Sequence, residues 1–108
     1  MTDKKKTSAI DKATAHFEHV IGGGLVGPIE VPEWDLDIYY RPSSTLQEES
    51  VVIKLTQENK QTEALVMSLI MKARDKDGER LFDQGDRIKL MNSVDPNVVL
   101  RIVTQMGS

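Results

Sequence analysis

Between Gly22 and Pro42 the chain carries four of its seven glycines and three of its four prolines, so no helix can run through that stretch. Three consecutive glycines, Gly22-Gly23-Gly24, lose too much backbone entropy on folding to propagate a helix. Pro28 and Pro32 lack the amide that a long central strand must donate. Ahead of the glycines, the spacing Ile10, Ala13, Phe17, Val20, Ile21 predicts a helix over about 9–21. Beyond them, Val26–Val31 and Leu36–Tyr40 read as short strands, the second with Leu36, Ile38 and Tyr40 alternating against polar neighbours. The link Pro32-Glu33-Trp34-Asp35 makes them a hairpin or strand pair.

Everything after Pro42 has helical character. Thr45 and Glu48 have the capping-box spacing and open a helix over Leu46 to about Gln57, although Val51-Val52-Ile53 is a β-branched run. A polar break at residues 58–61 precedes a stronger helix over Thr62–Arg74. Asp75-Lys76-Asp77-Gly78 is a turn with Gly78 available for positive φ, and Leu81-Phe82 returns to the core. Asp83 caps a short helix reaching about Val94. Asp95-Pro96 places an N-cap beside a first-turn proline and starts a last helix running to about Met106.

At 108 residues this is one domain's worth of chain. Residues 1–8, with Lys4-Lys5-Lys6, are expected to form a disordered amino-terminal tail, and residues 9–108 a single α+β domain, a small β-hairpin or strand pair followed by a mostly helical bundle. With 14 basic against 17 acidic residues the net charge is −3, which argues against nucleic acid and anionic membranes as partners. The longest nearly apolar run, Ala64–Met71, is far short of the roughly 20 residues of a spanning helix, and no apolar stretch follows the basic start. The absence of cysteine removes disulfides, thiolate zinc sites and cysteine nucleophiles, and the chain is cytosolic in character.

Four patterns look chemical at first sight. Gly22-Gly23-Gly24-Leu25-Val26-Gly27 matches a dinucleotide fingerprint, but the strand that should precede it and the helix that should follow are in the wrong order. His16 and His19 share a helix face, yet no third ligand lies there. Asp75-Lys76-Asp77-Gly78-Glu79 resembles part of a calcium loop, but alignment on Gly78 puts Ala73 and Gln84 at the two positions that most need a carboxylate. Carboxylate pairs such as Glu48/Glu49 and Asp35/Asp37 carry no sign of converging in a pocket. The expectation is a protein without active site, metal or cofactor.

The anomaly is the Thr62–Arg74 helix. Leu65, Val66, Leu69, Ile70 and Ala73 form an ordinary core stripe, while the opposite face carries Ala64, Met67 and Met71 with Ser68 beside them. A helix apolar nearly all round is either enclosed or meets something outside the domain. Methionine suits adaptable contacts, so Ala64, Met67 and Met71 are the candidate partner-binding residues, with enclosure as the alternative. The last helix, with Val98, Val99, Leu100, Ile102, Val103 and Met106, adds to the apolar surplus and points toward an oligomer or protein partner. Trp34 is either a lid on the small core or a further interface anchor.

The order of segments resembles the tail assembly chaperones of long-tailed, siphovirus-type bacteriophages. The resemblance is carried by Val31-Pro32-Glu33-Trp34 running into the strand Leu36–Tyr40, by Arg41-Pro42-Ser43 leading into helices, and by residues 72–82, where a charged D-x-D-G turn closes on Leu81-Phe82. Asp83, Asp86 and the carboxy-terminal helix also fit, so residues 30–106 are covered. The resemblance implies a non-enzymatic factor in the host cytoplasm that self-associates, coats the tape-measure protein and helps recruit tail-tube protein. It carries over no binding residue one by one. The rival expectation is a structural virion component, such as a tail-tube or head–tail joining protein.

Overall fold

The computed structural model describes residues 2–107, and of residues 2–7 the backbone alone. Helix α1 spans Thr2–Gly22, so it starts ahead of the Ala9 expected from periodicity. Of the tail expected over residues 1–8, residues 2–8 belong to this helix and Met1 lies outside the described residues. Strands β1 (Val26–Val31) and β2 (Leu36–Tyr40) pair antiparallel, with Ile29 opposite Ile38 and Val31 opposite Leu36. Their link is a 3-10 turn over Pro32–Trp34 that ends on Asp35 in the left-handed region at φ 54°. Helices α2 (Leu46–Gln57), α3 (Gln61–Lys72), α4 (Arg87–Asn92) and α5 (Pro96–Gln105) complete a single α+β domain.

Local chemistry explains most boundaries. The Thr45 hydroxyl accepts from the Glu48 amide at 3.1 Å while the Glu48 carboxylate accepts from the Thr45 amide at 3.0 Å, so the reciprocal box outweighs the β-branched run that follows. Asp95 accepts from the Asn97 amide at 2.9 Å and Pro96 opens α5. Asp83 caps a 3-10 turn over Gln84–Asp86, after which α4 begins at Arg87 and stops at Asn92, short of Val94.

One extended segment escaped periodicity. Helix α3 ends at Lys72 rather than Arg74, because Arg74 joins the sheet. Its amide donates to the Tyr39 carbonyl at 2.8 Å, and the Tyr39 amide donates back to the Arg74 carbonyl at 2.8 Å. Arg74 also bridges to Arg80 across the Asp75–Gly78 turn, where Gly78 has φ 86°. The Asp75 carboxylate accepts from the amides of Asp77 and Glu79, so this carboxylate serves the backbone of the turn.

The core gathers Ile29, Val31 and Ile38 from the hairpin, Val66, Leu69, Ile70 and Ala73 from α3, Leu90 from α4, and Val98, Val99, Ile102, Val103 and Met106 around α5. Leu69, Ile70 and Ile102 are wholly buried, each contributing about 1.5–3 kcal/mol of burial. Helix α3 is the hub, with α2, α4 and α5 all packed against it. Helix α1 stands apart: among the described residues none of its side chains belongs to the core or packs on it. The molecule accordingly measures 58 × 33 × 22 Å with a radius of gyration of 16.4 Å. A sphere-like chain of this length would have about 13 Å.

The hairpin is tied to the last helix by a fork. Arg101 donates from Nη1 and Nη2 to the two Glu33 carboxylate oxygens at 2.6 and 2.9 Å. That fork is the main reason the Glu33 carboxyl is lowered from 4.5 to about 2. A carboxyl depressed by folding adds stability above its ordinary value and forfeits it as protons are forced on. The urea midpoint of the native chain should therefore exceed that of Glu33→Gln at neutral pH, and the gap should close as pH falls from 4.5 toward about 2.

A second test concerns Gly27, at φ 132°, where an added Cβ would lie 2.9 Å from the Ile38 carbonyl oxygen. Gly27→Ala is expected to lower the thermal midpoint clearly, whereas Gly22→Ala, with open space around it, should leave it unchanged or slightly raised.

Candidate functional site

The four side chains singled out as partner-binding do not form one surface. Ala64 is 5% exposed and Met67 8%, both enclosed on α3, so the outward apolar face expected there is closed. The physical reason is coverage: α2 lies along one side of α3 and α4 and α5 along others, which realises the enclosed alternative. Met71 is half-buried in the wall of a cavity on another part of the α2–α3 junction. Trp34 sits edge-on to Phe82, ring centroids 6.1 Å apart at 78°, and packs on the core as a lid.

The open apolar surface lies one layer further out, on α2. This helix fully buries none of its side chains. Glu48, Glu49, Val52 and Leu55 are half-buried, and the rest of the helix is exposed. Leu46 is 87% exposed and Ile53 49%, and their seven-residue separation puts them on one face, away from Val52 and Leu55. Val51, exposed on the other side of the helix and next to Leu55, stands at the rim of a groove of about 410 Å³ whose other lining includes Leu55, Met67 and Arg87. Ile88 on α4 is 76% exposed and Leu100 on α5 is half-exposed. Sequence reasoning missed the α2 face because it noted the β-branched run only as a threat to helicity. The signal was present in the Leu46/Ile53 spacing, out of phase with Val52 and Leu55.

A second depression, about 300 Å³, lies where the segment before α2 meets the end of α3. Arg41 donates to Glu48 at 2.9 Å, Lys72 pairs with Glu49 at 2.9 Å, and the Ser44 hydroxyl donates to Glu49. Both carboxyls are held below the ordinary carboxylate range. For Glu48 the main cause is the Thr45 amide, and for Glu49 the Ser44 hydroxyl followed by Lys72. Their lone pairs are engaged and their basicity is reduced, so the arrangement fastens α2 to α3 rather than poising a proton for transfer. Burial lowers the Arg74 guanidinium nearby, whose Nη1 donates to the Gly78 carbonyl at 3.1 Å.

His16 and His19 are both exposed on α1, and among the described residues no three His, Asp or Glu side chains form a metal-ligating group. No helix among the described residues is long and apolar enough to cross a membrane. Comparison with protein-family models, with curated proteins and with solved structures finds no match.

The burial pattern separates core from surface by substitution. Met67→Asp places a carboxylate at a position only 8% exposed among aliphatic neighbours, and breaking the core with a poorly compensated charge costs on the order of 3–5 kcal/mol. Urea unfolding should show that loss for Met67→Asp, while Leu46→Asp should stay within about 0.5 kcal/mol of the native chain, as surface changes do.

Proposed function

We propose that this protein is a tail assembly chaperone of a long-tailed bacteriophage. In this reading it is a non-enzymatic factor of the host cytoplasm that shields the apolar face of the long helical tape-measure protein and engages tail-tube protein. The observation that carries the reading is α2, a helix with no fully buried side chain that presents Leu46 and Ile53 outward on one face. Exposed aliphatic side chains on a helix suit the capture of another amphipathic helix, which needs an apolar stripe and no pocket.

The segments behind the family resemblance support it as well. Pro32-Glu33-Trp34 and Leu81-Phe82 are far apart in sequence, yet Trp34 and Phe82 meet edge-to-face in space and Glu33 anchors α5. Those residues build the scaffold, and the binding task falls to the helix faces it displays. A structural virion component draws less support, since β1 and β2 hold only six and five residues and a tail-tube subunit commits more of its chain to strands.

Co-expression with the tape-measure protein of the same phage tests the reading. The native chain should keep that partner soluble and co-purify with it. Leu46→Asp combined with Ile53→Asp should lose the partner while retaining the native thermal midpoint. If the native chain neither solubilises nor retains the tape-measure protein, the proposed function is wrong.

A further inference from the structure

Among the described residues, one buried side-chain nitrogen has no hydrogen-bond partner: Nε of Arg74, closed off from solvent without an acceptor. Such an orphan calls for a physical reason, and a role in holding an ion is among the few that serve. The extended segments around Arg74 decide its company. Asp75 donates its amide to the Glu79 carbonyl at 2.8 Å, and Leu81 donates to the Ala73 carbonyl at 3.3 Å. Arg74 and Arg80 therefore oppose each other as a non-hydrogen-bonded pair, about 4.5 Å apart at Cα, where side chains approach most closely. The flanking pair, Ala73 and Leu81, turns to the core, so the two arginines share the outer face. Tyr39, opposite Arg74, is on that face too, and so by alternation is Arg41, since Tyr40 packs on the core.

Like charges set directly opposite one another repel, and this face carries three guanidinium groups. Only Arg41 is paired, with Glu48 at 2.9 Å. Arg74 forms no ion pair among the described residues and turns Nη1 to the Gly78 carbonyl. Arg80 is exposed, and its side chain has no polar partner among the described residues. The Asp75 carboxylate is engaged by the amides of its own turn. Burial lowers the Arg74 guanidinium first, then the charges of Arg41 and Arg80, and the carboxylates of Glu48 and Glu79 offset only part of this. Surplus positive charge is thus held partly out of water, where an opposite charge counts for more than at an open surface. Guanidinium forks match an ion with several acceptor oxygens. Two unneutralised arginines suit the double charge of a phosphate group, whereas one carboxylate would leave an arginine unmatched.

We propose that Arg80 and the open part of Arg74, flanked by Arg41, bind a phosphate group, as the free ion or as a phosphomonoester. The inference stands apart from the proposed function, because this face does not include Leu46 or Ile53.

Titration calorimetry of the full chain tests it, with inorganic phosphate and phenyl phosphate as separate ligands in chloride buffer of constant ionic strength. The native chain should bind one equivalent saturably, and phosphate should raise its thermal midpoint above that in chloride. Arg80→Gln should weaken binding about tenfold or more. Its midpoint in chloride should be unchanged or slightly raised, since a repelling charge is gone. Lys76→Gln, which removes an exposed charge from the same turn, should leave the affinity as it was. Tighter binding of phenyl phosphate supports an esterified ligand, and equal or weaker binding supports the free ion. No saturable binding of either at millimolar concentration, or equal losses in Arg80→Gln and Lys76→Gln, overturns the proposal.

Discussion

A twelve-residue helix with apolar side chains nearly all the way round has no face it can give to water, and the rest of the chain is arranged to relieve it of that problem. Residues Ala64, Val66, Met67, Ser68, Leu69 and Ile70 of α3 are all buried. A protein of this size has few elements to spend on such coverage, and it spends α2, α4 and α5 together. The consequence is a second layer that is itself incompletely covered. Enclosing one very apolar helix moves the exposed aliphatic surface outward, to Leu46, Ile53, Ile88 and Leu100, rather than removing it.

The polar contacts follow the same logic. Because α2 has little buried apolar area of its own, its position depends on the ion pairs Arg41–Glu48 and Lys72–Glu49 and on the Thr45 capping box. Partly exposed pairs of this kind contribute little energy individually, so the packing of α2 along α3, with Leu55 against the core, carries most of its attachment.

Legibility from sequence tracked how local the determining physics was. The two short strands, the α2 cap and the Asp95-Pro96 start are set by neighbours within a few residues, and the pattern disclosed each of them. The end of α3 was not local: Arg74 is drawn out of the helix by Tyr39, 35 positions earlier, and no periodicity in 62–74 encodes that pairing. The candidate surface failed for the same reason. Whether Met67 faces solvent or α2 depends on where α2 docks, and the two outcomes share one sequence pattern. Trp34 as a lid was legible because a strand connection beside a small core leaves a large ring one obvious place to go.

The small sheet limits how copies of this protein can meet. Along one side of β2 the Arg74 segment already occupies Tyr39, so no foreign strand can add there. Along the other, β1 offers Gly27 and Pro28 in the middle of its length, an interruption in register followed by a residue with no amide to donate. Strand-by-strand growth into a ribbon or fibre is therefore blocked at both margins. Aliphatic helix faces such as that of Leu46 and Ile53 are thereby displayed beside a sheet whose margins resist templating a β-aggregate.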